Sequence, residues 1–239
     1  ISENILMYKT IKKKDYVDVA YDEKILPFTT YPKKLTKFLI NEFNIKKNDS
    51  FLELGCGRGE FLKEFLAEGI NARGLDQSDY AKKINPPHTV DVHDILKTKK
   101  LPYDDNAFEF VFSKSVIEHF FECDFIFSEI NRILKPNGKV ITMTPDWSYV
   151  YDHFYDDYTH KKPFTLNSLR EIQEANNFKD IRVKRFKQLP ILWKKNKINY
   201  SFFSILSEIT RVIVPSILKK KFKWVRFSKE IMLFSVATK

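Results

Sequence analysis

The chain has 239 residues and a net charge of +10, with 43% hydrophobic and 30% charged residues, a balance that suits a globular protein with a full core. Its two cysteines, Cys56 and Cys123, are too few for a disulfide framework and point to a reducing, cytoplasmic setting. No apolar run reaches the ~18 residues of a membrane span, and the start of the chain carries no signal-peptide pattern.

After a polar, Lys-rich arm, Tyr31 to Phe43 spaces Leu35, Phe38, Leu39 and Phe43 for a helix. "SFLEL" (50–54) reads as a strand, and Arg58 to Glu68 as a helix ending at Gly69. "NARGLD" (71–76) is a second strand, followed by a short helix near Ser78–Ile84, and "HTVDV" (88–92) is a third. "FEFVFSK" (108–114) is almost continuously apolar, as a strand buried on both faces should be. Phe121 to Leu134 is a helix closed by "KPNG", and "KVITMT" (139–144) is the fifth strand. Leu166 to Asn177 is a helix, with "DIRVKRF" (180–186) and "EIMLFSVAT" (230–238) as the last two strands.

This alternation predicts an α/β fold with a doubly wound, Rossmann-like parallel sheet. The last two strands have no helix of normal length predicted between them, which predicts an antiparallel pair at the sheet edge. We read residues 1–239 as one domain. It carries an N-terminal arm and helix (1–45), an insertion on the acceptor side (145–165) and a basic, apolar insertion (188–229).

"ELGCGRGE" (53–60) holds three of the chain's six glycines. A strand, a glycine turn and a helix place backbone N–H groups and the helix start against a ligand. The order is G-x-G-x-G, and Glu60 stands where a dinucleotide fingerprint has its third glycine. A carboxylate there repels a pyrophosphate. With Glu53 before the loop, the pattern suits a ligand that lacks phosphate and has a cationic amino-acid end.

On these residues the sequence resembles the class I S-adenosylmethionine-dependent methyltransferases, from about Tyr31 to Lys187 and again in the final strand. The resemblance implies a seven-stranded sheet with an antiparallel last strand and S-adenosylmethionine as cofactor. Glu53, Gly55, Cys56 and Gly57 then form the cofactor loop. Asp76, with Gln77 beside it, meets both ribose hydroxyls, for which a carboxylate has paired acceptors. Asp94 meets the adenine amino group and Ile95 packs the ring. Ser113 opens "SKSVIEHF" (113–120), near the methionine part of the cofactor. In "ILKPNGKVITMTP", Asn137 replaces a family glycine, a change that left-handed-tolerant Asn permits.

For the acceptor, the family's amino-directed enzymes carry an Asn- or Asp-Pro-Pro-aromatic run after strand four, where this chain has "SKSV"; its "NPPH" (85–88) precedes strand three and reads as a turn. Neither cysteine stands where a base-methylating nucleophile would. "YDDYTHKKPFT" (155–165) resembles a D-x-T-H-x-x-P-F signature of methyltransferases encoded with surface-glycan assembly enzymes. His160 has the pKa range of a general base, with Asp157 or Asp156 to orient it, and His119 competes for the role. No metal set is assigned; Asp156, Asp157, His153 and His160 are the alternative ligands. The expected reaction is O-methylation of a sugar or other small hydroxylated acceptor, free or lipid-linked. A non-catalytic cofactor-binding module and an RNA methyltransferase are the competing readings.

Residues Gln188 to Lys229 hold ten Lys and Arg against one acid, Glu208, whereas the rest of the chain has 31 basic and 30 acidic residues. Ser201 to Leu218 puts Phe202, Ile205, Leu206, Ile209, Val212 and Ile213 on one helical face, followed by Lys219, Lys220, Lys221, Lys223, Trp224 and Arg226. Packing as a lid on the sheet ranks first for this segment. Peripheral contact with an anionic membrane comes next, ahead of a dimer contact, and nucleic acid is not expected.

Overall fold

A computed structural model describes residues 27–193 and 197–239; the N-terminal arm up to residue 26 lies outside the described residues. The predicted first helix is α1 (Tyr31–Phe43), with Pro32 in its first turn and Asn44 as a left-handed cap at φ 52°. The strands that follow are β1 (Ser50–Leu54), β2 (Asn71–Asp76), β3 (Val90–Val92), β4 (Phe108–Lys114), β5 (Leu134–Pro145), β6 (Lys179–Phe186) and β7 (Met232–Thr238). They form one sheet in the order β3-β2-β1-β4-β5-β7-β6. β1 runs parallel to β2 and β4, while β7 is antiparallel to both β5 and β6. The edge pair is therefore antiparallel as expected, with β6 outermost.

The remaining helices are α2 (Glu60–Ala67), α3 (Asp79–Ile84), α4 (Ile95–Thr98), α5 (Asp124–Ile133), α6 (Trp147–Val150), α7 (Leu166–Ala175), α8 (Lys197–Ile213) and α9 (Lys223–Lys229). Side chains alternate across a strand, so β1 sends Phe51 to one face and Leu52 and Leu54 to the other. Phe51 joins Leu35 and Leu39 of α1 and Leu62 and Phe65 of α2. Leu52 and Leu54 join Phe127 and Ile130 of α5 and Leu169 of α7. Each fully buried Leu or Phe contributes about 1.5–3 kcal/mol relative to exposure, so both faces of the sheet are covered.

Several boundaries differ from expectation. α2 starts at Glu60, not Arg58, because the glycine loop holds the chain open through Gly59. β3 loses His88 and Thr89: His88 has φ 61° and Thr89 bonds back to the Pro86 carbonyl. α5 starts at Asp124, not Phe121, since Ile117–His119 makes a separate 3-10 turn. "KPNG" lies within β5, with Asn137 at φ 65°. A 17-residue helix, α8, does separate β6 from β7. Pro215 ends the helix predicted to run to Leu218, because it lacks an N–H and disfavours helix at the residue before it; Ser216–Lys220 becomes a 3-10 turn.

The order of the strands decides where ligands go. The chain reverses direction across the sheet between β1 and β4, and the crevice beyond the carboxyl ends of two such strands is the binding place of open α/β sheets. The glycine loop follows β1 there, and the "VIEH" turn follows β4.

Candidate active site

At the end of β1 the Gly55 and Cys56 N–H groups both donate to the Leu75 carbonyl, at 2.7 and 3.1 Å. Gly55 has φ +72° and Gly59 φ +68°, a region L side chains avoid. Space is short as well: a β-carbon on Gly55 would lie 2.4 Å from a methyl of Val116, which follows β4. Between them, the Gly57 N–H donates to Asp76 Oδ2 at 2.8 Å, and the Ser78 N–H donates to Asp76 Oδ1 at 3.0 Å. Asp76 at the end of β2 thus holds the loop at the mouth of the crevice.

The other predicted cofactor residues ring this loop. Glu53 is 4% exposed and points under α2; burial pushes its carboxyl well above the ordinary range, and its Oε2 has no hydrogen-bond partner. Ser113 is buried in β4 with its hydroxyl likewise unpartnered. Gln77 is exposed beside Asp76. Asp94 caps α4, accepting from the Leu96 and Lys97 N–H groups at 3.1 and 3.3 Å. Ile95 is buried in the core below it. Cys56 is buried and burial pushes its thiol up, so it packs and does not react. Glu60 pairs with Arg58 at 3.0 Å, which keeps a carboxylate in the first turn of α2.

A second group assembles at the turn after β4. The Glu118 carbonyl accepts the Lys161 and Lys162 N–H groups at 2.8 and 3.1 Å. These two bonds tie the 145–165 insertion to the turn after β4 and bring His160 to His119, with ring centres 4.9 Å apart. His160 Nδ1 lies 2.7 Å from the Phe154 carbonyl. A carbonyl only accepts, so Nδ1 carries a proton. Asp157 Oδ2 stands 3.8 Å from Nε2 of the same ring.

The proton on His119 follows by the same reasoning. Thr159 donates its hydroxyl proton to Asp157 Oδ1 at 2.6 Å, and its oxygen is 2.9 Å from His119 Nδ1. His119 Nδ1 is then the donor to Thr159, and the ring also lies within reach of the Ser115 and Thr159 backbone. Asp157 therefore orients His119 through Thr159, while the Phe154 carbonyl orients His160. Burial, then the neighbouring His160, lowers the pKa of His119. Glu118 is fully buried; burial raises its carboxyl to about 7 against the Thr144 hydroxyl, which donates to Oε2 at 2.9 Å. Of the other candidates, His153 pairs with Asp152 and Asp156 is exposed, so neither joins the group.

Three site residues had gone unassigned. Asn85 donates to the Ala81 carbonyl at 2.7 Å and lies against Gly59; its signal was "NPP", read only as a turn. Glu118 stood in the quoted "VIEH", and Thr159 directly before His160.

The family described as a methyltransferase domain matches residues 27–183. The chain belongs to this methyltransferase family. Over 142 residues it is 28% identical to phosphoethanolamine N-methyltransferase 2 of Caenorhabditis elegans, covering 56% of this chain and 32% of that protein. Over 112 residues it is 30% identical to the sterol 24-C-methyltransferase of Saccharomyces cerevisiae, covering 42% and 28%. A solved SAM-dependent methyltransferase from Archaeoglobus fulgidus shares the fold, with TM-score 0.65 and 22% identity over 94% of this chain and 100% of that one. The chain spans about a third to a half of the length of the first curated relatives it matches.

The cofactor of this methyltransferase family is S-adenosylmethionine, and the residues fit it. Three glycines at positive φ, Gly55, Gly57 and Gly59, leave this loop without side chains of its own toward a ligand. Two buried polar atoms without partners, on Glu53 and Ser113, face demands that the protein does not meet. Asp76 and Gln77 would hold the ribose end, Asp94 and Ile95 the base, and Glu53 and the loop the amino-acid end. When bound, the cofactor supplies a methyl group activated by a positively charged sulfur.

Proposed function

We propose that this methyltransferase acts on an oxygen of a sugar or other small hydroxylated acceptor. The observation that carries the reading is the histidine pair. His119 and His160 each commit Nδ1 to an oriented partner, and their rings stand 4.9 Å apart at the turn after β4. A hydroxyl needs its proton removed as its oxygen bonds to the methyl carbon, a demand a positioned imidazole meets. The methyl carbon's bond to sulfur breaks with its electron pair, which cancels the sulfonium charge. The hydroxyl proton leaves toward the imidazoles and then to solvent past the exposed Asp157 carboxylate. Base methylation through a cysteine has no support: Cys123 is buried and burial raises its thiol to about 11. Incubation with cofactor carrying a labelled methyl group, followed by mass spectrometry of sugar, lipid-linked sugar, phenol and amine pools, tests the reading. Label confined to nitrogen overturns it.

We further propose that the basic segment rests on an anionic lipid surface. What supports this is the direction of the apolar stripe. Ser207 and Thr210 face inward, and Thr210 accepts from the Trp224 indole at 2.9 Å. Phe202 and Ile205 are each 62% exposed, and Val212 and Ile213 each 72%. Packing on the sheet, ranked first from sequence, would have buried these residues. Lys221 and Lys223 are exposed at the end of the stripe. Glu208, the segment's acid, is held by Lys187 and Arg211 at 2.6 and 2.8 Å. No described helix is long and apolar enough to cross a membrane, so the contact would be peripheral.

A further inference from the structure

We propose that Glu118, His119 and His160 form a binding site for a divalent transition-metal ion. One donor atom from each residue lies within 4.8 Å of the other two. Ligands at the usual ~2.0–2.2 Å from zinc stand about 3 to 4.3 Å apart around it. A small side-chain rotation closes the trio onto one ion. Its role in catalysis rests on the O-methylation reading above: an ion bound there would take up the imidazole lone pairs, and so would replace the histidines as the group that activates the hydroxyl. Binding of the ion stands on the geometry alone.

Three features separate this trio from a chance cluster. Both imidazoles are held by a hydrogen bond at Nδ1, as ligating imidazoles commonly are. For His160 the partner is the Phe154 carbonyl, and for His119 it is Thr159, backed by Asp157. Partners of this kind fix the tautomer and strengthen a metal site. Glu118 is fully buried, with Oε2 held by Thr144 and Oε1 without any partner. A buried carboxylate oxygen left unpaired costs free energy, and a cation beside it removes that cost. Finally, the Glu118 carbonyl clamps Lys161 and Lys162, so the two loops that bring the ligands are joined at the site.

Two imidazoles and one carboxylate suit zinc, cobalt, iron or manganese better than magnesium or calcium, which prefer all-oxygen shells. Three protein ligands leave positions open on the ion. An acceptor hydroxyl filling one would give a lone pair to the metal and become a stronger acid. Its proton would pass to solvent by way of Asp157, with no change of oxidation state. Of the other acids and histidines of the insertion, Asp157 stands 3.8 Å from His160 Nε2 and accepts from Thr159, Asp156 is exposed, and His153 is turned to Asp152.

The test uses the full chain without an affinity tag, stripped by a chelator and titrated with Co(II) while its visible d–d absorption is followed. One equivalent of bands is expected, displaced by Zn(II). His119→Asn and His160→Asn should abolish them, and Thr159→Val, outside the trio, should weaken binding by about tenfold. Near-ultraviolet circular dichroism and cofactor affinity show whether each variant is folded. No bands with wild type, or bands unchanged in both histidine variants, overturn the site. Undiminished methyl transfer by stripped protein without a Co(II) site sinks the metal and leaves O-methylation standing. A Co(II) site in a protein that methylates no hydroxyl does the reverse.

Discussion

Asn85 closes over Gly59. A β-carbon on that glycine would stand 1.7 Å from Asn85 Oδ1, and the Asn85 amide is anchored by its bond to the Ala81 carbonyl. The end of α3 therefore braces the turn at which α2 begins. The glycine loop keeps its shape through this contact and through the Asp76 carboxylate.

Gly59→Ala should be doubly unfavourable, by contact and by a φ of +68°. The backbone part alone costs about 1–2 kcal/mol. Thermal denaturation should show the loss, and calorimetry with the demethylated cofactor should show weaker binding. Adding Asn85→Ala should restore part of the stability by freeing the contact, leaving only the backbone cost. A double variant no better than the single one would show that Asn85 gives way freely.

Asp76→Ala should weaken cofactor binding through two losses, the ribose acceptors and the brace on the Gly57 N–H. Hydrogen bonds to a charged group contribute roughly 1.5–3 kcal/mol each, so affinity should fall by about tenfold to a hundredfold or more. Asp76→Asn, which keeps the shape and one acceptor, should fall between. Unchanged affinity in Asp76→Ala removes Asp76 from the cofactor site.

His160→Asn should lower turnover by about 10² to 10⁴ while cofactor affinity stays the same. The ring's partners are Phe154, Asp157 and His119, and none belongs to the glycine loop. Cys123→Ala should keep its turnover, since that thiol is buried under the turn after β4. Single-turnover kinetics with the identified acceptor separates the two. A His160→Asn enzyme near full rate would leave His119 to carry the proton.

Vesicles of anionic lipid should sediment the protein, and neutral vesicles should not. Each lysine near such a surface contributes about 1 kcal/mol, so replacing Lys219, Lys221 and Lys223 with Gln should cut binding by about a hundredfold. Ile209→Asp and Val212→Asp, both on exposed positions of α8, should cut it further without lowering the melting temperature. Salt should release the wild type as well, since exposed charges are screened within about 8 Å at physiological ionic strength. Indifference to anionic vesicles at low salt would assign the stripe to a protein partner.

The sequence by itself determined what depends on neighbours along the chain. Apolar spacing placed α1 at Tyr31–Phe43 and β1, β2 and β4 on their observed residues, because helix and strand periods are written into consecutive side chains. The E-x-G-x-G-x-G run marked the tight loop after β1, since glycine serves a backbone that turns at positive φ against a close neighbour. Tertiary structure decided the rest, because those contacts join residues far apart in the chain. Asn85 reaches Gly57 across 28 positions, and Thr159 reaches His119 across 40; no local pattern records either. The stripe on α8 was legible as a stripe, but its direction was not. The hydrophobic period says that one face differs from the other, and only the burial of Ser207 and Thr210, with Thr210 bonded to Trp224 of α9, turned the apolar face outward.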